Sequence, residues 1–95
     1  MNENEQFVLR LYVTGMTPRS TRAIRAVRNV CDEFLSGRYA LEIIDVYQQP
    51  ARIRDEQIVA TPTLVRQGPP TRRLIGDMTN RARLLQGLGI PELTP

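Results

Sequence analysis

The apolar positions of this chain fall into short extended runs divided by one long helical stripe. Phe7-Val8-Leu9-Arg10-Leu11-Tyr12-Val13 is rich in strand formers and carries a single charge, which predicts a buried strand. Thr14-Gly15-Met16-Thr17-Pro18 breaks it, and Thr17-Pro18 supplies a helix N-cap followed by proline at the first helical position. From about Pro18 to Leu35, Ile24, Val27, Cys31 and Phe34 recur at three- and four-residue spacing, with Ala23, Val30 and Leu35 widening the stripe. Arg19, Arg22, Arg25 and Arg28 lie mainly on the complementary face, and Gly37 is the expected C-cap.

Residues 39–47, Tyr39 to Tyr47, read as a second strand. A helix between two strands places them parallel and adjacent, joined by a right-handed crossover. Ala51 to Gln57 carries a weaker helical signal, with Ile53 and Ile58 as its buried contacts. In Ile58-Val59-Ala60-Thr61-Pro62-Thr63-Leu64-Val65 the proline cannot occupy a central strand, because the ladder would lose a donor. The strand therefore starts at Thr63. The Thr61-Pro62 bond is a candidate for a cis peptide, against a background of about 5–6% for X-Pro bonds in folded proteins; an ordinary trans-proline is the alternative. Gln67-Gly68-Pro69-Pro70 predicts a turn and Arg72 to Ile75 an antiparallel return strand. Gly76-Asp77 breaks it, and Asp77 or Thr79 can cap a last helix running to about Leu88, which Gly87 and Gly89 weaken and Pro91 stops. The resulting order, βαβαββα, gives a mixed sheet with helices on both faces: the thioredoxin-like arrangement.

Ninety-five residues make one domain. Residues 1–6 are expected to be frayed or disordered, residues 7–90 to form the domain, and residues 91–95 a short tail. The polar N-terminus lacks the apolar middle of a signal peptide, so a cytoplasmic protein is expected, with no membrane partner. The net charge is +3, with 13 basic residues, every one of them arginine. That charge is too small to imply nucleic-acid binding by itself. Arginine does favour planar, bidentate contacts to carboxylates. Arg22, Arg25, Arg72 and Arg73 could therefore meet an acidic partner, or be ordinary solvated side chains.

Little catalytic chemistry is within reach of these residues. The chain has no histidine and one cysteine, so no disulfide, no Ser-His or Cys-His pair and no histidine-based metal site can be assembled. A thioredoxin-type redox site needs two cysteines at the start of the first helix, and Met16-Thr17-Pro18-Arg19 stands there instead. Cys31 lies about three turns further on, in the apolar stripe, where a packed thiol is expected. Glu42 and Asp45, three apart on a strand, face opposite sides and make no acid–base pair. No enzyme activity, no metal and no cofactor are expected. A redox or stress-response protein on the same scaffold, without the paired cysteines, is the alternative; nucleic-acid binding through the arginine face is a third.

Several segments in order resemble the KaiB family of circadian-clock proteins: Leu9-Arg10-Leu11-Tyr12-Val13-Thr14-Gly15 with Thr17-Pro18, Tyr39-Ala40-Leu41 with Ile44-Asp45-Val46, Ala60-Thr61-Pro62-Thr63-Leu64, and Arg72-Arg73-Leu74-Ile75-Gly76-Asp77. Arg81 and Leu85-Gln86-Gly87-Leu88 continue the likeness. It implies a non-catalytic, metamorphic binder. One state is thioredoxin-like with the cis-proline before its third strand; the other is a βαββααβ ground state that assembles into a dimer or tetramer. The implied partner is the ring-forming ATPase KaiC, with a KaiA-like protein or a SasA-like sensor kinase as further partners. Arg22, Ala40, Asp45, Arg72 and Arg73 match interface positions of the family. Pro62, Pro70, Gly76, Asp77, Gly87 and Gly89 are the candidates for the fold-switching or cis-proline segment. Glu42 and Gln57 depart from the family's usual lysines, Gly89 replaces an aspartate, and no acidic tail is read before Pro95.

Overall fold

The computed structural model describes residues 5–91. The expectations for residues 1–4 and 92–95 lie outside the described residues. Seven elements follow in the predicted order: β1 (Phe7–Val13), α1 (Pro18–Phe34), β2 (Tyr39–Asp45), α2 (Pro50–Glu56), β3 (Thr63–Arg66), β4 (Arg72–Ile75) and α3 (Arg81–Leu88). The sheet order is β2-β1-β3-β4. β1 pairs with β2 in parallel, from Phe7 opposite Tyr39 to Val13 opposite Asp45. It pairs with β3 antiparallel, Leu11 opposite Leu64, and β3 pairs with β4 antiparallel, Leu64 opposite Leu74. The architecture is thioredoxin-like.

The period-two alternation of a strand sends its side chains to opposite faces, and β1 uses both. Phe7, Leu9, Leu11 and Val13 enter a core with Ala23, Val27, Val30 and Cys31 of α1, Leu84, Leu85 and Leu88 of α3, and Met78. On the other face Tyr12 packs with Ile44, Val46, Ile58 and Val65, and Ile53 of α2 leans against them. Ile53 and Ile58 are thus the contacts their pattern predicted. Among the described residues, no helix is long and apolar enough to cross a membrane.

Element boundaries moved where a side chain competed with the pattern. β2 stops at Asp45, two residues before the expected end, because the Asp45 carboxylate accepts the Tyr47 amide at 3.0 Å and turns the chain. α1 ends at Phe34 with Leu35 as its cap; Gly37 lies two residues beyond, at φ +73°. α3 is capped by neither Asp77 nor Thr79. Asn80 takes that place, accepting the Arg83 amide at 3.0 Å. The reason is Met78, which is only 1% exposed. It sits between Asp77 and Thr79, whose amide and hydroxyl the Asp77 carboxylate accepts, and the helix starts after this turn.

Candidate partner-binding site

Thr17 is the N-cap of α1, accepting the Ser20 amide at 3.1 Å, and Pro18 follows in the first turn. The Ser20 hydroxyl donates to the Thr14 carbonyl at 3.2 Å, tying the end of β1 to the helix start. Facing this turn is the loop before β3, in which Thr61-Pro62 is cis. The Thr14 and Thr61 hydroxyls hydrogen-bond across the gap. A cleft of about 320 Å³ opens beside them, lined by Arg19, Arg22, Pro62, Asp77 and Thr79. Arg22 is exposed at its rim.

No thiol reaches this place among the described residues. The sulfurs near it are thioethers: Met16, 76% exposed at the head of the helix, and Met78 in the lining of the cleft. Cys31 is fully buried, and burial, reinforced by the neighbouring Asp32 charge, pushes its thiol up to about 12. A thiol held protonated in a packed core is neither a nucleophile nor a metal ligand. Among the described residues, no group of three or more histidine, cysteine or acidic side chains could hold a metal ion.

The remaining interface candidates do not form one patch. Asp45 turns inward: its carboxylate also accepts the Gly15 amide at 3.1 Å, so it clamps the β1–α1 turn against the end of β2. Ala40 is exposed on β2, one of the two edge strands of the sheet, opposite Val8. Between them on the same strand, Glu42 is paired with Arg52 at 3.1 Å. That hydrogen bond holds the Glu42 carboxyl below its usual range.

Arg72 and Arg73 are adjacent on β4 and serve opposite faces. Arg73 reaches the C-terminal end of α2, donating to the Glu56 carbonyl at 2.5 Å and the Gln57 carbonyl at 3.5 Å. Its charge there complements the negative end of that helix. Arg72 reaches the C-terminal end of α3, beside Gly89. Gly89 is the left-handed cap of α3, at φ +73°, and a Cβ there would meet Arg72 Nε at 2.9 Å. Arg66, which the sequence did not single out, fixes the same corner. It donates to the Leu88 carbonyl at 2.6 Å, pairs with Glu5 at 2.7 Å and stacks on the Phe7 ring at 3.8 Å. Gly87 lies inside α3 against β4, where a Cβ would press on the Leu74 side chain at 3.2 Å.

Apart from Gly87, the candidates of the last third of the chain lie at turns and at a helix end. Pro69-Pro70 is the second cis bond, in the β3–β4 turn. Gly76 ends β4, and Asp77 then accepts the amide and hydroxyl of Thr79 at 2.9 and 2.7 Å. Those two bonds lower the Asp77 carboxyl from its ordinary value.

The family model described as the KaiB domain matches residues 10–90. The chain is 49% identical over 86 residues to the circadian clock protein KaiB3 of Synechocystis sp., covering 90% of this chain and 84% of the relative. It is 45% identical over 85 residues to the circadian clock oscillator protein KaiB of Thermosynechococcus vestitus, covering 88% and 79%. Among solved structures, the N-terminal domain of Synechococcus elongatus SasA superposes with a TM-score of 0.71 at 29% identity, covering 90% of this chain and 85% of that one. A chloroplastic thioredoxin z gives the same TM-score of 0.71 at 21% identity, over 90% and 77%, a likeness of fold alone. The chain belongs to the KaiB family.

Proposed function

We propose that this protein is a non-catalytic regulator that docks onto a KaiC-type ATPase ring and thereby alters its phosphorylation state and its choice of other partners. The observation that carries this reading is the head of α1. Met16-Thr17-Pro18-Arg19 keeps the cap and the proline that present a thioredoxin-like binding surface, beside cis-Pro62, without any reactive sulfur. A surface that is preserved while its chemistry is lost supports recognition. Membership of a family of circadian-clock proteins supplies the class of partner.

Within this reading the five interface positions divide by what they are free to do. Arg22 and Arg72 are exposed and make no ion pair among the described residues, so they are available to carboxylates of the ring. Ala40 offers a small, flat position on the β2 edge strand. Asp45 and Arg73 are engaged within the chain and act by holding the β1–α1 turn and α2 in place. A SasA-like sensor kinase, whose N-terminal domain shares the shape, would compete for the same place on the ring. A KaiA-like protein fits less well, because Glu42 puts a carboxylate on β2 where the family's usual lysine would be. Self-assembly belongs to the alternative βαββααβ packing, whose switching segment would span Pro62, Pro70, Gly76, Asp77, Gly87 and Gly89.

Gel filtration with the cognate ATPase, in variants mimicking each phosphorylation state, tests the proposal. We expect a complex with at least one of them, weakened at least tenfold in Arg22→Glu and Arg72→Glu. No complex in any nucleotide or phosphorylation state overturns it. In the companion assay, insulin reduction by dithiothreitol, the protein should give no acceleration.

A further inference from the structure

The side chain of Arg83 serves neither its own helix nor an acidic partner. It stands in the first turn of α3, where a positive charge is unfavourable. It makes no ion pair among the described residues. Its guanidinium donates instead to two main-chain carbonyls, Nη1 to Asp77 and Nη2 to Ile75, both at 2.7 Å. Hydrogen bonds from a charged donor are of the stronger kind.

Those two carbonyls stand on either side of Gly76, just where β4 ends. In an antiparallel ladder the backbone groups of successive residues point alternately toward the partner strand and away from it. The Gly76 amide points inward and donates to the Pro62 carbonyl at 3.0 Å. The Ile75 carbonyl, one residue earlier, therefore points away from β3. β4 is the last strand of the sheet, so no ladder meets that carbonyl and Arg83 does. Gly76 itself stands at φ +99°, a conformation open to glycine and to few other residues. Glycine is also the residue with the most freedom to leave it. Pro62 on one side and Arg83 on the other pin it.

The residues after this junction form a wall of the cleft. Asp77 and Thr79 share its lining with Arg19, Arg22 and Pro62. Met78, between them, is buried and anchors the turn from beneath. The Asp77 carboxylate holds Thr79, and Arg83 holds the Asp77 carbonyl. One guanidinium thus ties α3 to the end of β4, and through Gly76 to the cis-Pro62 loop.

We infer that Arg83 is a positioning residue for the cleft, a latch that keeps Asp77 and Thr79 in the wall beside Pro62. Its part in docking rests on the ring contact proposed above; its hold on the turn does not.

Amide exchange of the full-length protein tests the latch without any partner. In Arg83→Met the Gly76 and Thr79 amides should exchange about tenfold faster or more, while residues 84–88 and 63–66 keep wild-type rates. A side chain that merely stabilised α3 would quicken exchange along the helix instead. Arg83→Lys keeps the charge without the planar fork and should fall between the two. It also serves if the methionine variant does not fold. In titrations with the cognate ATPase, Arg83→Met should weaken binding about threefold or more, and Arg83→Lys less. Unchanged Gly76 and Thr79 rates in Arg83→Met, or equal quickening throughout α3, overturns the inference. So does wild-type affinity for the ring in a variant whose Gly76 and Thr79 amides have quickened. If the wild-type protein binds no ring, the ring contact is wrong, and the exchange rates alone decide the latch.

Discussion

On one face of the sheet, Phe7, Leu9, Leu11 and Val13 meet α1 and α3 through a continuous apolar layer. On the other, Tyr12, Ile44 and Val65 meet α2 through little more than Ile53, Ile58 and Val46. α2 buries none of its own seven residues fully. What holds it down is charge. Glu56 takes Arg10 of β1 at 2.7 Å and Arg73 of β4 at 4.0 Å, and Arg52 takes Glu42 of β2 at 3.1 Å. The physical difference is one of strength and of solvent response. A fully buried large apolar side chain contributes about 1.5–3 kcal/mol, whereas an exposed ion pair contributes about 0–1 kcal/mol and is screened by salt. The first face carries the fold; the second holds its helix by contacts that salt and acid can weaken.

The sharpest way to break this comparison is to cut into each face of β1 in turn. Leu11 is 0% exposed and central to the apolar layer. Leu11→Ala should cost about 2–5 kcal/mol by chemical denaturation, from lost burial and the cavity left behind. Its neighbour Tyr12 is also 0% exposed, on the α2 side, and its hydroxyl lies near the Arg52 guanidinium without a well-formed hydrogen bond. Tyr12→Phe removes a buried polar group that is poorly satisfied, so it should change stability by less than about 1 kcal/mol. A loss at Tyr12→Phe as large as that at Leu11→Ala would show that the hydroxyl, through Arg52, contributes as much to the α2 face as a buried leucine does to the other.

A smaller effect is expected at the floor of α2. Glu56→Gln takes the counter-charge from Arg10, whose side chain is only 18% exposed, and from Arg73. The expected loss is about 1–3 kcal/mol, only partly reduced at high salt because the Arg10 pair is shielded from solvent. Amide exchange should quicken across residues 50–57 and leave residues 23–31 protected, since the weakly held element opens first. Acid works in the same direction. Glu42 has its carboxyl lowered by Arg52, so its contribution is complete above the ordinary value of 4.5 and is lost as pH falls through the lower folded value. α2 should therefore loosen in mild acid before the apolar layer responds.

The same contrast marks what the amino-acid sequence revealed. Everything built on local period was legible: the stripe of α1, the strands, the crossover, the turn at Pro69-Pro70. The contacts that build the second face were not. Arg73 reaching Glu56, or Asp45 reaching Gly15, joins residues far apart in the chain, and nothing in either neighbourhood announces the partner. One signal was available and unused. Arg72 and Arg73 are consecutive on a strand, so the alternation of side chains already separates them, and the structure sends one to each face. The cap of α3 was undecidable for another reason. Asp77, Thr79 and Asn80 can all cap, and the choice fell to the burial of Met78. Arg66 escaped notice because its value lies in closing a corner between Glu5, Phe7 and Leu88.

The smallest predicted effect concerns the helix that the apolar face holds so firmly. α1 can tolerate charges that oppose its own dipole because its stability comes from Val27, Val30 and Cys31 beneath it. Arg19 stands in its first turn, near the exposed amide end, where a positive charge is unfavourable. Arg19→Glu should therefore stabilise the protein by about 0.3–1 kcal/mol at low ionic strength, with the gain fading as salt is added. Should Arg19→Glu instead destabilise the fold, then Arg19 makes a contribution to the cleft beside Pro62 that outweighs the dipole. A thermal-unfolding series of wild type and Arg19→Glu across salt concentrations separates these outcomes. A gain that shrinks with screening is the dipole effect, and a loss that shrinks with screening is the attraction of Arg19 for Asp77 across the cleft.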